Sequence, residues 1–165
     1  MLVAKRASPH PETDRRPLYT IEQRARRDAT VWTLVQGVLA PVQFVVFLAS
    51  LVLVLNYLAT GTGYWAATLS IVAKTLVLYA IMVTGAIWEK VVFGQYLLAP
   101  AFFWEDVVSF LVIGLHTAYL FGLLTGTMSP DVLISVALAA YATYVFNAAQ
   151  FLLKLRRARL DGLVG

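Results

Sequence analysis

The side chains within or beside the apolar segments that can move protons are few, and most of them fall in one stretch. Glu89, Lys90, Glu105 and Asp106 lie close together in the sequence, with Lys74 upstream and His116 downstream. Carboxyl groups in unlike surroundings can divide the roles of general acid and general base. Glu105 and His116 are eleven residues apart, which on a helix at about 100° per residue leaves a net rotation of only about 20°. Ser109 lies one turn past Glu105 on the same side, and Tyr119 and Leu120 continue the line. A lipid-facing helix would not carry such a polar stripe. Asp106 points about 100° away from Glu105, so the two acids face different neighbours. An interhelical hydrogen bond is the alternative use of His116, with both carboxylates then left in headgroup water.

The remaining polar groups are weaker signals. Lys74 is eleven residues beyond Gly63, about 16 Å along a helix, too deep to reach water easily. It needs a partner or must be neutral. Glu89 sits between Trp88 and the apolar run Val91 to Phe93, which reads as a half-buried carboxyl, while Lys90 reads as a solvated helix end. Gln36 and Gln43 share a face, and Asn147 and Gln150 mark the last apolar segment. All four suit interhelical hydrogen bonds. Tyr141 and Tyr144 read as packing residues, and His10 lies in a polar tail.

Counting excludes several chemistries. A bis-histidine haem needs two facing histidines, and only His116 lies in an apolar segment. Cysteine is absent, which removes thiolate metal sites, disulfides and a cysteine nucleophile. The His and carboxylate set is too dispersed for zinc. Neither a phosphate-binding P-loop nor a dinucleotide fingerprint is present. A small proton-coupled exporter would want a carboxylate deep in a span, and no Asp or Glu is placed there.

The elements that must position these groups follow from hydropathy. Of 165 residues, 60% are apolar and 13% charged, where soluble domains carry about 25% charged residues. Residues 29–73 contain no Asp, Glu, Lys or Arg, enough for more than one crossing at about 20 residues each. A soluble enzyme and a disordered chain are both excluded. A β-barrel would alternate polar and apolar positions, and these runs do not. The segments predict an all-α polytopic membrane protein: a four-transmembrane-helix bundle with a short N-terminal interfacial helix. Residues 1–17 read as a polar tail without the apolar core of a cleaved signal peptide, 18–155 as one domain, and 156–165 as a basic C-terminal tail. Thr20 and Gln23 have capping-box spacing ahead of Arg24, Arg26 and Arg27. The spans are expected over 31–59 (with a kink at Pro41), 64–88, 104–124 and 129–153. Trp32, Tyr64, Trp65, Trp88 and Trp104 fall near their ends, as interfacial aromatics do.

Of 13 Lys and Arg, seven precede residue 28 and four follow residue 153, while the turns near 61 and 127 have none. Four spans with both termini cytoplasmic satisfy the positive-inside rule. The net charge of +4 is thus a membrane-flank signal, and no folded basic face for nucleic acid is evident.

Two blocks are distinctive: TGAIWEKVVFG at 84–94 and APAFFWEDV at 99–107, accompanied by PLYT at 17–20 and RRDATVW at 26–32. From about residue 16 to residue 155 the chain resembles the 2-vinyl bacteriochlorophyllide hydratase family (chlorophyllide a 3-vinyl hydratase) of bacteriochlorophyll biosynthesis. The resemblance implies hydration of the C3 vinyl group of chlorophyllide a to a 1-hydroxyethyl group, with no redox cofactor and no ATP. It implies a bacterial inner or intracytoplasmic membrane, a magnesium tetrapyrrole held among apolar helices, and other enzymes of the pathway as candidate partners.

The chemistry then expected is acid-catalysed addition. A protonated carboxyl gives its proton to the terminal vinyl carbon, and a second carboxylate deprotonates and aims the water. Glu89 and Glu105, brought together by the short aromatic loop, are the first choice, with Asp106 in reserve. Trp88, Phe103 and Trp104 would stack on the macrocycle, Lys90 would meet its propionate end, and His116 would serve as an axial ligand to its magnesium. A pigment-binding or assembly protein without turnover is the competing reading. A small transporter is a third, and it would need a polar path on the side where ionisable residues are scarce.

Overall fold

The structure, a computed structural model, describes residues 17–161, with side chains to residue 160. The expected tail at 1–16 with His10, and the last four residues of the basic tail, lie outside the described residues. Every regular element described is an α-helix: α1 (Ile21–Ala29), α2 (Val31–Thr60), α3 (Tyr64–Phe93), α4 (Phe103–Thr125) and α5 (Pro130–Asp161). Four of them, α2 to α5, are long and apolar enough to cross a membrane. This is the outcome lipid demands, because a backbone without water must satisfy its own hydrogen bonds.

Local signals set the helix ends. Thr20 accepts from the Gln23 amide while the Gln23 side chain accepts from the Thr20 amide, a reciprocal capping box. Thr30 then caps α2 through the Trp32 amide at 3.3 Å. Gly61 and Gly63, at φ 68° and 84°, form the turn between α2 and α3, a backbone conformation that a Cβ would strain. Two helices outrun their expected ends. α3 continues to Phe93, so Glu89 and Lys90 belong to its last turns, and Gly94 stops it at φ 88°. α5 continues past Leu153 through Lys154 and Arg156 to Asp161. Lys and Arg are good helix formers, and cations are favoured at a helix C-terminus.

The chain runs up and down, as two antiparallel hairpins: α2 lies along α3, and α4 along α5. Close approach relies on small side chains at the seams, as expected where lipid gives no hydrophobic drive between helices. Ser50 meets Ser70 at 2.7 Å between α2 and α3, and Ala67, Ala137 and Ala140 are fully buried or nearly so. The core around them contains Phe47, Val54, Ile71, Tyr119 and Tyr141. Large apolar side chains such as Leu34, Val45, Leu69 and Phe121 point outward, as a lipid-facing wall requires. One end of the bundle gathers α1, the 94–102 loop, the start of α4 and the end of α5. We call it the loop end, and the opposite end, with the 61–63 and 126–129 connections, the turn end.

Candidate active site

The loop end holds three buried carboxyl groups. Glu89, Glu105 and Asp106 are 5%, 6% and 3% exposed. They come from two helices, with the loop between them acting as a clamp. The Leu98 amide donates to Asp106 Oδ2 at 2.7 Å, and the Ala99 amide donates to Glu89 Oε2 at 3.2 Å. The Glu89 and Asp106 carboxyls lie against each other. Leu98 reaches this position with φ 59°, the one non-glycine residue at positive φ among the described residues.

Glu105 turns away toward α5, where it forms an ion pair with Lys154. The same ammonium donates to the Ala101 carbonyl and lies 5.2 Å from the Phe102 ring centroid. One turn further in, Asn147 Nδ2 donates to Ser109 Oγ at 2.6 Å and to the Glu105 carbonyl. The expected stripe along α4 is present: Glu105, Ser109, His116 and Tyr119 are all buried.

An aromatic cluster backs the carboxyls. Phe102 is 2% exposed, stacks on Phe151 at 5.8 Å and meets Trp88 edge-on at 5.7 Å. Tyr19 stacks on Phe93 at 5.8 Å, with the Arg27 guanidinium over its ring at 4.8 Å from the centroid. Trp88 is held by its indole N–H, which donates to Thr33 Oγ1 at 2.9 Å.

The expected site residues therefore separate into groups. Glu89, Glu105, Asp106 and Trp88 come together at the loop end. Glu89's nearest acid is Asp106, while Glu105 has Lys154 for a partner. The carboxylates are buried and not in headgroup water. Phe103 and Trp104 point outward, Trp104 being 68% exposed. Lys90 is exposed and donates to the Gly94 carbonyl at 2.8 Å, closing the end of α3.

His116 is elsewhere, inside the bundle toward the turn end. Its Nδ1 pairs with the Val112 carbonyl at 2.7 Å, and its Nε2 with Lys74 Nζ at 3.0 Å. Both ring nitrogens are engaged, and Lys74 has the partner its depth required. Gln36 bonds Thr84 at 2.7 Å, but Gln43, expected to bond a neighbouring helix, has no partner among the described residues.

Sequence reasoning missed Lys154 and Phe102. Hydropathy ends the last span near residue 153, so Lys154 reads only as one of the four basic residues that flank it. Its spacing from Asn147, seven residues on the same helix face, is the signal that finds it. The amides of Leu98 and Ala99 carry no side-chain signal at all.

Fold and site together define a polytopic four-helix membrane protein with a buried carboxyl centre at one end of the bundle. The chain belongs to the family described as 2-vinyl bacteriochlorophyllide hydratase, whose profile matches residues 19–157. It is 72% identical over 155 residues to a 2-vinyl bacteriochlorophyllide hydratase of Cereibacter sphaeroides, covering 94% of this chain and 93% of that one. It is 71% identical over 148 residues to that of Rhodobacter capsulatus, covering 89% of this chain and 85% of the relative. No solved structure matches.

Proposed function

We propose that this chain is a hydro-lyase that adds water across the C3 vinyl group of chlorophyllide a by acid–base catalysis at the loop end. The observation that carries this is the contact between two buried carboxyl groups, Glu89 and Asp106, beside a third carboxylate held by an ammonium. Vinyl hydration needs an acid and a base in unlike surroundings, and these groups supply them.

A protonated carboxyl of the Glu89–Asp106 pair gives its proton to the terminal vinyl carbon. The carbon–carbon π bond breaks and a C–H bond forms. The cation on the adjacent carbon is delocalised into the macrocycle and faces the carboxylate left behind. Water bonds to that carbon, and Glu105, aimed by Lys154, accepts the proton that the water loses. Trp88 supports the ring system from inside the bundle. Phe103 and Trp104, on the first turn of α4, meet it from the bilayer side. Lys90 is placed to meet the propionate. His116, already bonded to Lys74, is assigned to the bundle interior and not to the pigment's magnesium. Residues 18–155 act as one domain in a bacterial inner or intracytoplasmic membrane, with the loop end toward the cytoplasm.

The test is conversion of chlorophyllide a by purified protein in lipid nanodiscs. The expected product is heavier by one water, and its absorption band moves to the blue as vinyl conjugation is lost. Glu89→Gln and Asp106→Asn are each expected to lower turnover by about 100-fold or more. Wild-type turnover in both variants removes the pair from the mechanism, and pigment binding without conversion favours a carrier.

A further inference from the structure

The bundle interior contains side-chain amides that helix packing leaves unsatisfied. Gln43 of α2 is 1% exposed, and neither its Nε2 nor its Oε1 has a hydrogen-bond partner among the described residues. Asn147 Oδ1 and Gln150 Oε1 of α5 are in the same condition. Register makes the three neighbours. Across the α2–α5 contact Ser50 bonds Tyr141 and Phe47 packs on Tyr144. One more turn along this antiparallel pair sets Gln43 level with Asn147. Gln150 follows Asn147 on the same face, and Lys154 follows Gln150. In the other direction, the Tyr144 ring lies 4.1 Å from Lys74 Nζ. The amides thus occupy the interval between the Lys74–His116 pair and the Lys154–Glu105 pair.

A buried amide without a partner is costly, and native interiors satisfy such groups with bound water. A water so held needs about two to four polar partners, and amides of facing helices provide them. We infer that Gln43, Asn147 and Gln150 bind an internal file of water, and that this file supplies the molecule added to the vinyl group. The supply role rests on the hydration reading above. Each turnover consumes one water at carboxyl groups that are themselves buried. A file ending at Glu105 delivers water to the carboxylate that deprotonates it. Gln43 is then a positioning residue on α2, acting through the water it holds and out of contact with the pigment.

X-ray radiolytic labelling of the full chain in nanodiscs, without pigment, tests the file directly, because hydroxyl radicals form where water is bound. The expected result is label on buried Phe47 and on half-buried Tyr144, with Tyr96 at the loop end as the exposed control. Gln43→Leu should remove that label, leave Tyr96 unchanged, and lower kcat by about tenfold, the worth of one ordered hydrogen-bonded water, with KM for pigment unaltered. Gln43→Asn, which keeps the amide, should retain both label and turnover. An unlabelled wild type overturns the inference, and so does Gln43→Leu that loses the label but keeps its kcat. A labelled wild type that converts no pigment removes the hydration reading and the supply role with it, and leaves the water site supported.

Discussion

Glu105 and Asp106 are adjacent in sequence yet sit in different chemical surroundings, because successive residues of a helix diverge by about 100°. Asp106 faces the loop, where the Leu98 amide and Glu89 receive it. Glu105 faces α5 and takes Lys154 as its counter-charge. A carboxylate stripped of water is tolerated only while its partner remains. Lys154→Met should therefore lower stability by about 2 kcal/mol, read as a fall in melting temperature in detergent by circular dichroism. The double variant Lys154→Met/Glu105→Gln should recover most of that loss, since no charge is then left unpaired. A single variant as stable as the wild type would show that Glu105 finds water without Lys154.

At the scale of elements, the 94–102 loop and α1 are the pieces that close the site. The loop's conformation depends on Leu98 at φ 59°, where an L side chain costs about 1–2 kcal/mol. Leu98→Gly should stabilise the fold by about 0.5–1 kcal/mol after glycine's entropic penalty, and Leu98→Val should destabilise it, both measured as thermal midpoints. If the two variants shift the midpoint in the same direction, strain at this residue is not what governs the loop. α1 is anchored through Tyr19, which is 5% exposed. Burial pushes its hydroxyl above the ordinary value of 10.0, and the Arg27 guanidinium opposes that rise. A group whose folded value is raised stabilises the fold below its unfolded value and loses that contribution as pH climbs through the folded one. Docking of α1 should therefore be independent of pH below about 10 and weaken above it. Tryptophan fluorescence from Trp88 would follow the change, and Tyr19→Phe should abolish it.

For the whole molecule, charge asymmetry accompanies the up-and-down topology. Arg24, Arg26, Arg27, Lys90, Lys154, Arg156, Arg157 and Arg159 belong to the loop end by their helix positions, the distribution that retains an end on the cytoplasmic side. The chain has no cysteine, so single replacements can report sidedness. Tyr96→Cys should react with an impermeant maleimide from the cytoplasmic face of oriented vesicles, and Thr62→Cys only from the opposite face. The reverse pattern would invert the proposed orientation and place the carboxyl centre on the other side of the membrane.

What the sequence determined by itself is whatever depends on one helix at a time. The charge-free run, the aromatic ends, the Thr20 capping box and the Glu105–Ser109–His116 stripe are all set by hydropathy and by the period of 3.6 residues, and each is present. Partnerships between helices were decided only by the tertiary structure. Periodicity says which face a side chain occupies, but the sliding and rotation of one helix on another follow from small residues packing at Ser50, Ala67 and Ala137. Glu89 thereby meets Asp106, Lys74 meets His116, and Phe102 is buried while its neighbour Phe103 is left outside. Lys154 joins the site because α5 keeps its hydrogen-bond ladder beyond the apolar run, and hydropathy, which ends with that run, carries no information about the turns that follow.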